Sequence, residues 1–270
     1  MQILLRANLL SQLEDPRLDL CRSRFFPAPG ELLSQLLAHC RATGQEISFL
    51  RDMRWTAREM AQADAYLVAR AQTIAQPRHL HEVQQAESQR IPTASKWGSI
   101  VSYRMVHLNR CPPPGSFRLL DQWTNELLAS PDLELASLRG VALEPVGGAV
   151  HVRVGHILGP AAWDQTLCET WDNGPGAPST PRHRGTLTFP AASLAGDWDL
   201  ARTAEPFGCN GTGLLVVSSH FYRCYHQNGW KGLRFWPVWS ENAHFPQQQL
   251  ALWQETMSQL QSYPKAQLWC

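Results

Sequence analysis

His220 and Cys224 stand four residues apart, a spacing that on a helix places both side chains on one face. A thiol beside an imidazole can begin nucleophilic chemistry, because the ring takes the proton and the sulfur attacks. The ring must be oriented by a third group, and no Ser/His/Asp or Cys/His signature supplies one. The plainer reading makes Cys224 a core thiol and His220 a residue at the start of a helix. His79 and His81 lie close together, and His220 and His226 flank Tyr222 and Cys224, without a partner that would set them to acid–base work.

The remaining motifs fall short of a site. Cys111-Pro112-Pro113-Pro114-Gly115 resembles half of a zinc knuckle whose second cysteine has become Pro114, and Cys168-Glu169-Thr170-Trp171 resembles another with Trp171 in that place. Two sulfurs do not make the four-ligand shell of a structural zinc, and nothing in the spacing asks His151 or His183 to complete it. Gly208 to Gly213 lacks the lysine of a phosphate-binding loop and precedes a strand instead of a helix. Asp197, Asp199 and Glu205 cluster around Arg202, either as local salt-bridging at a turn or as a docking surface for a basic partner. The expectation is therefore no catalytic residue, no cofactor and no metal.

The elements that must position these residues follow from periodicity. The stretch from Asp197 to Trp239 reads as strand, helix, strand: Leu214 to Ser219 is an apolar run ending in serines, His220 to Gln227 a helix, and Gly232 to Val238 a strand that Pro237 brings to a close. Earlier in the chain, Leu32, Leu33, Leu36, Leu37 and Cys40 have helical spacing, with Gly44 as the stop. Ile47 to Leu50 is a short strand. Thr56 caps a helix over Ala57 to Ala63, with Glu59 reaching back. Tyr66 to Ile74 reads as a strand, residues 76–96 as a polar linker, Ser99 to Leu108 as a strand, and Leu119 to Leu128 as a helix.

Strands follow over Leu138 to Val146 and His151 to Ile157. Trp171 to Arg184 is an exposed loop, and Gln247 to Gln261 is an amphipathic helix with Leu250, Trp253, Met257 and Leu260 on one face. The fold class expected is α+β, with mixed or antiparallel sheets and packed helices. Residues 1–95 form an N-terminal α/β subdomain and 96–270 an α+β domain, unless the two make one compact body.

Composition sets the outer limits. With 44% apolar and 17% charged residues, the chain has the make-up of a soluble globule, and its net charge of +1 is mixed along its length. No basic stripe marks a nucleic-acid binder, so none is expected as partner. No charged segment leads into an apolar one at the start, and no run approaches the ~20 residues of a membrane span, which points to the cytoplasm. Seven scattered cysteines, an odd number, fit reduced thiols. Eleven tryptophans fit either core packing or an aromatic contact surface.

A weak internal repeat joins two of the strands. Gly140, Leu143, Pro145 and Val146 match Gly232, Phe235, Pro237 and Val238 at one offset, the signature of a duplicated helix-turn-strand unit. The pieces Arg202-Thr203-Ala204-Glu205-Pro206, then Val216-Val217-Ser218, then Trp230-Lys231-Gly232-Leu233-Arg234-Phe235-Trp236-Pro237-Val238 resemble the C-terminal part of the double-CXXCG-motif family of predicted bacterial immunity proteins. Leu138 to Val146 is similar to that family's preceding unit, and Cys111 and Cys168 fall where its two knuckles belong. The resemblance covers roughly the last two thirds of the chain. It departs from the family in the lost second cysteine of each knuckle, so the family's implied metal clamp does not carry over.

The resemblance implies a cytoplasmic immunity protein that binds a cognate protein toxin, or its C-terminal toxin domain, without catalysis. Contact residues are expected in the loop around Trp171, Asp172, Asn173, His183 and Arg184, and in the strip of Glu205, Phe207 and Asn210. Two other classes compete. An enzyme reversing a toxin's modification would draw on His220, His226 and Cys224. A structural or scaffold protein would need none of them.

Overall fold

The computed structural model describes residues 1–9, 13–71, 111–119, 126–164, 166, 168–171, 180–183, 187–205 and 213–269. In chain order these form β1 (Gln2–Asn8), α1 (Pro16–Ser23), β2 (Phe26–Ala28), α2 (Glu31–Thr43), β3 (Ile47–Arg54), α3 (Ala57–Ala61) and β4 (Ala65–Ala71). Next come β5 (Phe117–Leu119), β6 (Leu127–Ala129), β7 (Val141–Val146), β8 (Ala149–Val154), β9 (His156–Leu158), β10 (Cys168–Trp171), β11 (Thr180–His183) and β12 (Leu187–Phe189). The last are α4 (Ala191–Leu194), β13 (Leu200–Thr203), β14 (Leu215–Ser218), α5 (Ser219–Gln227), β15 (Leu233–Ser240), α6 (Phe245–Gln261) and β16 (Ala266–Trp269). The fold is α+β, as the alternation of helical and strand periods predicts. Among the described residues no helix is long and apolar enough to cross a membrane.

Two compact units divide the chain. The first takes Met1–Gln62, Gln165–Leu167 and Ala243–Cys270. Its sheet has the order β16-β3-β1-β2, with β1 antiparallel to both neighbours and β16 parallel to β3. The pairings Ile3 to Met53 and Ala7 to Phe49 put alternate apolar residues on one face. That face shares a core with Leu18 and Cys21 of α1, Leu33, Leu36, Leu37 and Cys40 of α2, and Trp253 and Leu260 of α6. Each fully buried leucine contributes about 1.5–3 kcal/mol of transfer free energy.

Local signals set the helix limits in this unit. Asp15 caps α1 by accepting from the Arg17 amide, and Pro16 fits the first turn, where no amide partner is needed. Gly44 ends α2 in the left-handed region, at φ 68°. Thr56 and Glu59 form the expected capping box.

The second unit holds Ala63–Asp164 and Cys168–Asn242. Its larger sheet has the order β12-β15-β4-β14-β13-β9 and is mixed: β12 with β15 and β13 with β9 are parallel, the other pairs antiparallel. A smaller antiparallel sheet has the order β5-β6-β8-β7, and β10 with β11 makes a two-stranded ribbon. One face of the large sheet carries a core of Ala65, Leu67, Ala201, Val216 and Val238 with Phe189 and Trp198.

The opposite parity, Tyr66 and Phe235, meets the rings of α5. Tyr66 stacks on Tyr222 at 3.8 Å, and Phe235 stands edge-on to Tyr225 at 4.9 Å. Trp198, Trp230, Trp239 and Trp253 are buried, so these four serve packing.

Several expectations need correction. The helix expected over Leu119 to Leu128 does not hold at its ends: Leu119 ends β5 and Leu127 opens β6, whose residues are all buried between β5 and β8, while 120–125 lie outside the described residues. A strand covered on both faces loses the polar alternation that would distinguish it from a leucine-rich helix. Trp171 to Arg184 is not wholly a loop, since Trp171 ends β10 and Thr180 to His183 form β11. Pro237 does not close its strand, because β15 runs on to Ser240 and pairing with β12 begins at Val238.

The two copies of the expected repeat are entered differently among the described residues: β7 follows turns, while β15 follows α5. What the copies share is the glycine at the start, with φ 66° at Gly140 and 100° at Gly232. The proposed boundary at 95 to 96, the linker over 76–96 and the strand over 99–108 lie outside the described residues. The C-terminal helix and strand belong with the N-terminal residues in the first unit.

Candidate functional site

The second unit gathers its ionisable groups where β14 turns into α5. Leu215, Val216 and Val217 are β-formers on a central strand, and Ser218 then breaks the run by capping the helix, its Oγ accepting from the Phe221 amide at 3.0 Å. The antiparallel pairing of Leu200 with Val217 brings Asp199 beside Ser218, whose amide donates to the Asp199 carbonyl at 3.0 Å. The lead-in to β7 adds Arg139, whose carbonyl accepts from the Asp199 amide at 2.9 Å.

The Asp199 side chain is wholly buried and receives a full set of donors. The Arg139 amide and Nε donate to its Oδ2 at 2.9 and 3.3 Å, and Arg139 Nη2 donates to its Oδ1 at 2.9 Å. Ser218 Oγ–H donates to Oδ1 at 2.6 Å, and His220 Nδ1 lies 3.0 Å from Oδ2. Burial would push the carboxyl up, but the bonds from Arg139, Ser218 and His220 outweigh it and hold it down at about 2. The carboxylate is thus a permanent acceptor, and Nδ1 of His220 must carry the proton in that bond. In the neutral ring the lone pair falls on Nε2, which faces Cys224 Sγ at 3.6 Å.

Thiol, imidazole and carboxylate are therefore in line, each atom suited to its neighbour. Cys224 is half-buried and free, not a core thiol. The spacing of His220 and Cys224 is legible in the sequence. Asp199 is not legible as the third member because its place depends on the β13–β14 register, nor is Arg139, which comes from 60 residues upstream.

The acidic cluster is arranged otherwise than expected. Asp197 and Asp199 pair with Arg139, while Arg202 reaches Glu126 at 3.5 Å. Glu205 is tied down: its Oε1 accepts from the Ala161 amide at 2.7 Å and its carbonyl from Thr203 Oγ1 at 2.8 Å, which fastens the exit of β13 to the segment after β9. Glu205 thus serves as an acceptor within the fold.

Trp171 pairs with Thr180, and His183 with Cys168, at opposite ends of one ribbon. Asp172, Asn173, Arg184, Phe207 and Asn210 lie outside the described residues. Cys111 Sγ donates to the Gly147 carbonyl at 3.0 Å. Among the described residues no group of three His, Cys, Asp or Glu could hold a metal ion.

A second polar cluster is more deeply buried. His151 on β8 places Nε2 2.5 Å from Glu126 Oε2, and its Nδ1 lies 4.0 Å from Glu144 on β7. Glu126 also faces Arg202, so the group ties β7, β8 and β13 together. Compared with family models, curated proteins and solved structures, the chain gives no significant match.

Proposed function

We propose that this chain is an immunity protein, acting in the cytoplasm of a bacterium by binding a cognate protein toxin one to one, with no chemical turnover. The observation that carries the reading is the ordered series of family-like pieces from Arg202 to Val238. The strands that carry these pieces lie in one sheet, β13 beside β14 and β15 across β4 from them, with α5 against it. Binding of this kind depends on a stable, shaped exterior, with a few aromatic and charged anchors supplying most of the affinity.

The test is co-expression with the toxin encoded beside the gene. A complex of equal stoichiometry should co-purify, and protection should appear only once the immunity protein reaches the amount of toxin. Continued killing with no complex would refute the proposal, and so would full protection at amounts far below the toxin's.

A further inference from the structure

We propose that Cys224 is a thiol–disulfide exchange site, with His220 as its base and Asp199 as the positioning group, and that its substrate is a low-molecular-weight disulfide. Nothing in the toxin-binding reading requires this site, and the two stand or fall separately.

The thiols differ in access and in neighbours. Exchange requires a thiolate that a disulfide can reach. Cys21 and Cys40 are 2% and 0% exposed, and burial pushes both thiols up, away from ionisation. Cys111 is exposed, but its hydrogen-bond partner is a carbonyl oxygen, which cannot take up the proton. Cys224 alone of these four has both access and a base: it is half-buried on α5, with the Nε2 lone pair of His220 at 3.6 Å. The ring cannot readily turn its protonated nitrogen toward the sulfur, because Nδ1 is held by a fully buried carboxylate that is itself fixed by Arg139 and Ser218. The same carboxylate stabilises the imidazolium once the proton arrives.

In the step itself, the S–H proton of Cys224 passes to His220 Nε2 and the thiolate attacks one sulfur of the small disulfide. The S–S bond of the reagent breaks as the new bond to Cys224 forms. The departing thiolate takes the proton back from Nε2 and leaves as a free thiol, so the ring ends neutral. Cys224 sulfur is oxidised, one sulfur of the reagent is reduced, and the product is a mixed disulfide on α5. No oxyanion-stabilising donors are needed, which matters because Cys224 sits beyond the first turn of the helix, where backbone amides are already paired.

The experiment treats the native full-length chain with substoichiometric oxidised glutathione and maps all seven cysteines by peptide mass spectrometry over time. The added mass should appear first on Cys224. In His220→Gln the Cys224 rate should fall roughly tenfold while the Cys111 rate stays unchanged as the internal reference. First modification of any other cysteine in the wild-type chain would overturn the proposal, as would an unchanged Cys224 rate in a folded His220→Gln. If that variant does not fold, the wild-type map decides alone.

Discussion

Asp199 accepts hydrogen bonds from three residues on three segments and has no exposed surface, so its loss leaves several donors stranded. Asp199→Ala should cost about 1–3 kcal/mol, read from urea denaturation, because the Arg139 amide and the Ser218 hydroxyl lose their buried acceptor while the Arg139 guanidinium keeps Asp197. The protonation equilibrium gives a second readout. The carboxyl titrates at its ordinary 3.8 when unfolded and at about 2 when folded, so its contribution is complete above the unfolded value. Stability should therefore fall as pH drops from about 4 through about 2. Asp199→Ala should make that part of the profile less steep, since a side chain that does not titrate contributes no slope while Asp15, Asp19 and Asp132 still do.

At the level of the elements, the join between α5 and β15 depends on one hydroxyl. Tyr225 Oη accepts from the Leu233 amide at 3.0 Å and donates to the Leu233 carbonyl at 3.2 Å, satisfying both backbone groups of that residue. Tyr225→Phe should lower stability by about 1–3 kcal/mol with little change in volume, measurable as a lower urea midpoint at constant m-value. Close by, Gly232 lets the chain pass so near β5 that a Cβ would collide with the Phe117 carbonyl oxygen.

Elements with local causes were legible in the sequence. Leucine spacing and Gly44 mark α2, Thr56 and Glu59 mark α3, and Ser218 marks the start of α5. Elements with non-local causes were not. β6 resembles a helix because both its faces are covered, and Pro237 sits inside a strand because pairing on its far side starts one residue later. The site divides in the same way. His220 and Cys224 share a helix and can be paired from spacing alone, whereas Asp199 and Arg139 reach them only through sheet register and a turn from another sheet.

For the molecule as a whole, the first unit draws on both the first 62 residues and the segment from Ala243 onward, while the second is built from what lies between. Removing Ala243–Cys270 would take Trp253, Leu260 and Tyr263 from the core around Ile3 and Leu36, along with β16 from the sheet edge. The expected outcome is rapid proteolysis within residues 1–62 and slow hydrogen exchange retained over β14 and β15. Uniform protection throughout the truncated chain would contradict this division of the core.

The same arrangement has a consequence for biosynthesis. Ile3, Leu5 and Ala7 leave the ribosome early, yet the side chains that share their core, Trp253 and Leu260, are made some 250 residues later. At ordinary elongation rates that wait lasts roughly 10–50 seconds. The residues between can pack during that interval while this earlier segment stays sticky. A holdase chaperone on the first strand and helices should therefore raise the yield of folded protein more than one acting after release.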